Sequence, residues 1–76
     1  MDVKEKLQEL VNTHGEIVEK EGNSHISTCN HYSWDQDVWN HRHEIMGALI
    51  KRGYHVSSKT NHGVLDIYIV KPIMLE

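Results

Sequence analysis

The stretch that decides the fold runs from Ser33 to Lys71, SWDQDVWNHRHEIMGALIKRGYHVSSKTNHGVLDIYIVK. Its first half predicts one helix over residues 34–52. Ser33 followed by Gln36 is a capping-box pair, and apolar residues then recur at a spacing near 3.6. That stripe consists of Trp34, Val38, Ile45 and Leu49, widened by Trp39, Met46 and Ile50. Lys51 and Arg52 suit the last turn, and Gly53 is a helix stop.

After Gly53 the apolar period changes to two, which predicts a β-hairpin. Residues 54–59 form the first strand and residues 65–70 the second. The turn 60–63 separates its Asn from its Gly, so a loop of three to five residues is favoured. On the second strand, Leu65, Ile67 and Ile69 share the face that meets the helices, and Asp66, Tyr68 and Val70 face away. Pro72 cannot donate to a sheet ladder, so this strand should end near Lys71.

The N-terminal third predicts a second amphipathic helix. Asp2 and Glu5 resemble a capping pair, Gly22 and Asn23 end the element, and a break at Gly15 is an alternative. The apolar stripe consists of Val3, Leu7, Leu10, Val11, His14, Ile17 and Val18. Residues 24–32 show no helical period and are predicted as a loop, with a short strand over residues 25–29 as the alternative. The fold class is therefore α+β, with two helices on one face of a C-terminal antiparallel hairpin in the order α-α-β-β.

Length, charge and cysteine content set further expectations. The 76 residues predict one small domain, 1–76, and the net charge of −3 resides in residues 1–22, which hold six acids and three bases. This acidic helix argues against broad phosphate contact, so nucleic acid is not the expected partner. The single cysteine, Cys29, indicates a reducing compartment, expected to be the cytoplasm of a bacterial host. No apolar run is long enough for a membrane span.

A hairpin covered on one face only predicts either a third strand or contact with another chain, so homodimerisation is an expectation. A partner protein would be bound by large side chains that the core does not use. The candidates are Tyr32, Trp39, Arg42, Tyr54 and Tyr68. Core packing is the alternative for the aromatic residues, and it is preferred for Trp34 and Tyr54. A separate basic patch is expected near the end of the second helix and the hairpin loop, formed by Lys51, Arg52, His55, Lys59 and His62.

Seven histidines among 76 residues are the compositional anomaly. Imidazole and thiolate are ligands that zinc prefers, but the spacing lacks the close pairs of structural zinc sites. The metal candidates are His25, Cys29, His31, His41 and His43. No cofactor is expected; zinc is the alternative. Because histidine titrates near pH 6.5, acid would move the net charge from about −3 towards +4, so binding should depend on pH between about 5 and 7.

Catalytic patterns are weak, and no catalytic residue is assigned. Cys29 with His25 or His31 could form a nucleophile–base pair only if the fold assembled it. The helix, Gly53-Tyr54-His55-Val56, and a polar turn containing His62 faintly resemble HicA-type ribonuclease toxins. Asn61-His62-Gly63 departs from the Gly-Ser-His turn of that family, and the pattern of a third strand and helix is missing. A ribonuclease-type or RNA-binding protein is therefore an alternative function.

The last 35 residues are similar to small phage-encoded accessory proteins that pair a helix with a Gly-Tyr-x-Val hairpin. The similarity lies in residues 43–56, HEIMGALIKRGYHV, followed by the alternating strand 66–70, DIYIV. It implies a short accessory protein that binds and inhibits a host or defence protein. The sequence therefore predicts a non-catalytic protein-binding module, a regulator or inhibitor of another, bacterial protein.

Overall fold

The computed structural model describes residues 2–30 and 36–73 as an α+β fold. Three helices lie on one face of a three-stranded antiparallel sheet whose strand order is β1-β3-β2. The elements in chain order are α1 (Val3–Glu21), β1 (Asn23–Cys29), α2 (Gln36–Asn40), α3 (Arg42–Lys51), β2 (His55–Asn61) and β3 (Val64–Val70).

The first helix begins and ends where its sequence predicts. The Asp2 carboxylate accepts a hydrogen bond from the backbone N–H of Glu5 at 2.9 Å, which satisfies one of the free donors of the first turn. Gly22 ends the helix with φ 90°, a conformation that costs glycine no Cβ clash. The break at Gly15 does not occur. Gly15 is buried inside a continuous helix, and a Cβ at this position would collide with the Arg52 guanidinium.

The loop predicted for residues 24–32 is wrong for the part that the structure describes, and the alternative, a strand over residues 25–29, is confirmed. Residues 23–29 form β1, which pairs with β3 from Asn23 opposite Val70 to Cys29 opposite Val64. Ile26 and Thr28 are buried against the helices, whereas their neighbours in sequence are exposed or half-buried. Because β1 holds mostly small polar residues, its period of two is visible only once a neighbouring strand defines an inner face.

The single helix over residues 34–52 is also wrong. Gln36–Asn40 and Arg42–Lys51 are separate helices, because His41 adopts φ −110° and ψ 22°. The Arg42 guanidinium donates to the Trp39 carbonyl at 2.7 Å. In a continuous helix this carbonyl would accept a hydrogen bond from the backbone N–H of the residue four positions later. The predicted cap at Ser33 and the predicted core residue Trp34 lie outside the described residues.

The hairpin between β2 and β3 is tighter than predicted. Asn61 pairs with Val64, so only His62 and Gly63 form the loop, with φ 51° and 75°. Positive φ at both central residues is the signature of the type I′ turn, whose twist matches that of the strands. The prediction required Asn next to Gly and therefore missed a histidine in the left-handed conformation. The second strand ends at Val70, as predicted.

The core lies between the sheet and the helices. Leu65, Ile67 and Ile69 of the central strand are 0–2% exposed, which confirms the predicted inner face. The remaining buried apolar residues are Val11, Val18, Ile26, Val38, Ile45, Leu49 and Tyr54. Ile50 was expected to widen the apolar face of its helix, but it is 56% exposed. No helix in residues 2–30 or 36–73 is long and apolar enough to cross a membrane.

Candidate functional site: the open face of the sheet

The sheet has one face that no described helix covers. Side chains alternate along each strand, so the residues beside the buried ones project to the opposite side. We call this surface the open face. It consists of Asn23, His25, Ser27 and Cys29 of β1, Val64, Asp66, Tyr68 and Val70 of β3, and His55, Ser57, Lys59 and Asn61 of β2. The side chains of these residues are exposed or half-buried.

At the centre of the open face lies a cluster of three side chains from β1 and β3. The rings of His25 and Tyr68 are stacked with centroids 4.7 Å apart and planes 7° from parallel. The second contact joins His25 Nε2 to Asp66 Oδ1 at 2.9 Å. The register places His25 opposite Tyr68, so these contacts follow from the pairing of the two strands. Tyr68 thus packs against His25 while 43% of its surface stays exposed.

The rest of the open face is mostly polar and nearly balanced in charge, although it includes the half-buried Val64 and the exposed Val70. Four of its positions are serine or asparagine: Asn23, Ser27, Ser57 and Asn61. Lys59 lies opposite Asp66 in the register. These are the only lysine and carboxylate positions on this face, so its formal charge is zero when the histidines are neutral. Tyr68 has Ser57 opposite it on β2 and Asn23 and Ser27 diagonal to it on β1, and tyrosine beside serine and asparagine is the composition of antibody binding surfaces.

Of the predicted interface residues in the described part of the chain, only Tyr68 lies on the open face. Trp39 is half-buried in α2 and packs against the core, and the Arg42 Cζ atom lies 5.0 Å from the centroid of its ring. Tyr54 is 9% exposed and belongs to the core, the alternative preferred for it from the sequence. Tyr32 lies outside the described residues. The four candidates that the structure describes therefore do not form one surface.

The Tyr54 hydroxyl anchors β2 to α1. It donates to the Glu19 carboxylate at 2.8 Å and to the Gly15 carbonyl at 3.3 Å, and Lys71 Nζ donates to the same carboxylate at 2.7 Å. The hydrogen bonds from Lys71 and then from Tyr54 lower the pKa of Glu19. The Glu19 carboxylate in turn raises the pKa of Tyr54 and that of Lys71. This network joins the ends of α1, β2 and β3, so its role is structural.

The predicted basic patch is spread over the molecule. Lys51 and Arg52 lie at the end of α3, where the Arg52 guanidinium hydrogen-bonds the Asn12 amide oxygen. His55 begins β2 and His62 follows its last residue, so about 20 Å of strand separates them. Together with Lys59 on the open face, these residues do not form one anion-binding surface.

The predicted metal ligands are similarly dispersed. His25 and Cys29 lie four residues apart on β1, about 13 Å, a distance that one zinc ion cannot bridge. His41 contacts the Glu44 carboxylate at 3.1 Å between the helices, His43 is exposed on α3, and His31 lies outside the described residues. In residues 2–30 and 36–73 there is no group of three or more His, Cys, Asp or Glu placed to hold a metal ion.

Three grooves border the helices, away from the His25–Asp66 pair. One of them, about 510 Å³, runs between α1 and α3, and its lining includes Leu7, Val11 and Ala48. Two smaller grooves also border α1. A histidine–carboxylate pair has acid–base chemistry, but catalysis usually takes place in a concave site that excludes water. The sheet surface around this pair suits contact with a macromolecule better than the binding of a small substrate.

The cluster on the open face was not predicted as a site. Asp66 and Tyr68 were placed on an outward face, but His25 was assigned to a loop, so no pairing between them was foreseen. The missed signal was the pair Ile26 and Thr28, β-branched residues two apart, which indicates a strand. Searches against protein-family models, curated proteins and solved structures found no match to this chain.

Proposed function

We propose that this protein is a non-catalytic binding module that recognises another protein through the open face of its sheet. The observation that carries the proposal is the exposed Tyr68 at the centre of that face, fixed by its stacking on His25. Tyrosine dominates binding energy when small residues around it exclude water from the contact. Asn23, Ser27 and Ser57 form part of such a rim here, together with Asp66 and Val70 on either side of Tyr68 along β3.

Charge favours a protein over a nucleic acid as the partner. Binding to phosphates requires several lysines or arginines on one surface, whereas the open face carries one lysine, Lys59, opposite the carboxylate of Asp66 in the strand register. The chain as a whole carries a net charge of −3. A regulator or inhibitor of a bacterial protein, as the resemblance to small phage-encoded proteins implies, would act through this face.

The test compares variants in an affinity capture from nuclease-treated bacterial lysate. Tyr68→Ala and His25→Ala should each lose a protein that the unmodified chain retains at near-equal stoichiometry. His43→Ala is the matched control for His25→Ala, because His43 is an exposed histidine on α3 and not on the sheet. Circular dichroism should show the same folded spectrum for all three variants.

Two results would overturn the proposal. Retention of the captured protein by both Tyr68→Ala and His25→Ala would show that the open face is not the contact surface. Recovery of RNA or DNA with a steep salt dependence, when nuclease is omitted, would support the nucleic-acid alternative instead.

A further inference from the structure

The β2 strand forms an open edge of the sheet. It pairs with β3 on one side only, in unbroken register from His55 opposite Val70 to Asn61 opposite Val64. No described strand pairs with its other side. Natural proteins protect such edges with bulges, proline, lysine or inward-pointing charges. Residues 55–61 contain no bulge, proline or inward-pointing charge, Lys59 is their one lysine and lies on the open face, and six of the seven are exposed.

An exposed apolar flank of α3 accompanies this edge. Glu44 and Ala48 line the groove that α3 shares with α1. Each residue advances a helix by about 100°, so Met46 and Ile50 lie about 200° from those two and face away from α1. Since α1 packs mainly on β1 and α3 on β2, that flank faces the β2 side of the molecule. Met46 is half-buried there, and Ile50 is 56% exposed.

We propose that a second copy of this chain pairs with the β2 edge, antiparallel and about a two-fold axis at Ser58. In this register Ser58 faces Ser58 of the other copy, Ser57 faces Lys59, Val56 faces Thr60 and His55 faces Asn61. The edge is complementary to itself, because no like charges stand directly opposite each other. The two Lys59 side chains fall on opposite sides of the axis, each beside the other copy's Ser57.

The same operation brings the two apolar flanks together. A two-fold axis perpendicular to the sheet places both helix layers on one side, so Met46 and Ile50 of one copy approach those of the other. The result is a six-stranded sheet in the order β1-β3-β2-β2-β3-β1. The axis also places both open faces on one side, so the dimer would present its recognition surface twice. This inference goes beyond the proposed function and does not depend on it.

The register is tested by disulfide trapping in a Cys29→Ser background. Ser58→Cys should form a covalent dimer on mild oxidation, because the two Cα atoms face each other across the axis within the 4.4–6.8 Å that a disulfide spans. Asn61→Cys is the control and should stay monomeric, since the two copies of residue 61 lie about 20 Å apart in this register.

The flank is tested by sedimentation of the untagged chain over a range of concentrations. The unmodified chain should show a monomer–dimer equilibrium, and Ile50→Asp should raise its dissociation constant at least about tenfold, since it buries charge at the contact. Val3→Asp is the matched control, because Val3 is 38% exposed on α1, away from the edge.

Three results would each overturn the proposal. They are a monomeric mass up to millimolar concentration, cross-linking of Asn61→Cys equal to that of Ser58→Cys, and a dissociation constant that Ile50→Asp does not change. Partner capture by Tyr68 variants is a separate readout, so either proposal can fail alone.

Discussion

Replacing Gly15 by alanine tests the packing of α1 against the end of α3. Glycine in a helix interior is about 1 kcal/mol less favourable than alanine, so Gly15→Ala would ordinarily stabilise α1 by that amount. Here a Cβ would collide with the Arg52 guanidinium, which hydrogen-bonds the Asn12 amide oxygen. The guanidinium lies at the end of a flexible side chain and can move away, but it then loses that bond.

The two effects nearly cancel. An exposed hydrogen bond from a charged donor contributes about 0.5–1 kcal/mol to stability. Gly15→Ala should therefore change the free energy of unfolding by less than about 0.5 kcal/mol in the unmodified chain. In an Arg52→Ala background the obstacle is gone, and the same change should add about 1 kcal/mol. The expected coupling between the two positions is thus about 0.5–1 kcal/mol.

The assay is urea unfolding followed by far-ultraviolet circular dichroism on the four members of the double-mutant cycle. Gly47→Ala is the matched control, because Gly47 lies in α3 and a Cβ there would meet nothing within 4 Å. This control should gain up to about 1 kcal/mol in both backgrounds. An equal gain from Gly15→Ala in both backgrounds would refute the reasoning about Arg52. A loss above about 2 kcal/mol in both would show that immovable atoms occupy the site.

Two further predictions concern the core and the pH dependence of folding. Ile67→Ala should lower the free energy of unfolding by about 2–5 kcal/mol, because Ile67 is fully buried. Tyr68→Ala beside it should lower that free energy by less than about 1 kcal/mol. Similar losses for the two variants in denaturant unfolding would contradict the assignment of the two faces of the sheet. Burial, and then the charge of His25, lowers the pKa of His14, whose Nδ1 lies 2.6 Å from the Ser24 hydroxyl. The unfolded chain then binds the proton more readily than the folded chain, so the free energy of unfolding should fall as pH drops below 6.5 towards the lowered pKa. His14→Gln should reduce this dependence when unfolding is measured at a series of pH values. An unchanged dependence would assign the effect to other titratable groups.

Local signals in the sequence were enough to place several elements. The Asp2 cap and the left-handed Gly22 bound α1, and alternation within residues 65–70 identified the inner face of β3. These features depend on hydrogen bonds or faces within a few residues of chain. The prediction of one helix over residues 34–52 was wrong at His41, next to which the Arg42 side chain hydrogen-bonds the Trp39 carbonyl. The spacing of apolar residues contains no information about such a side-chain contact.

The candidate site needed partners that are distant along the chain. His25 meets Asp66 across 41 residues, and only the assignment of residues 23–29 to a strand brings them together. Histidine content alone suggested zinc, and the structure instead spreads the six histidines that it describes over a sheet, two helices, a helix junction and a turn. The number of histidines in a sequence does not show which residues of paired strands lie opposite each other. The cluster of His25, Asp66 and Tyr68 therefore could not be predicted from composition.

The sequence by itself determined the α+β class, the ends of α1, the hairpin and the inner face of its second strand, because each depends on local periodicity and capping. The tertiary structure decided that β3 is central, that β1 completes the sheet, and that Gly15 accommodates Arg52 of a distant helix. It also decided which polar residues share the open face. The physical reason is that strand pairing and close helix contact join residues that are far apart in the chain. A local sequence pattern does not show whether two such distant residues fit together.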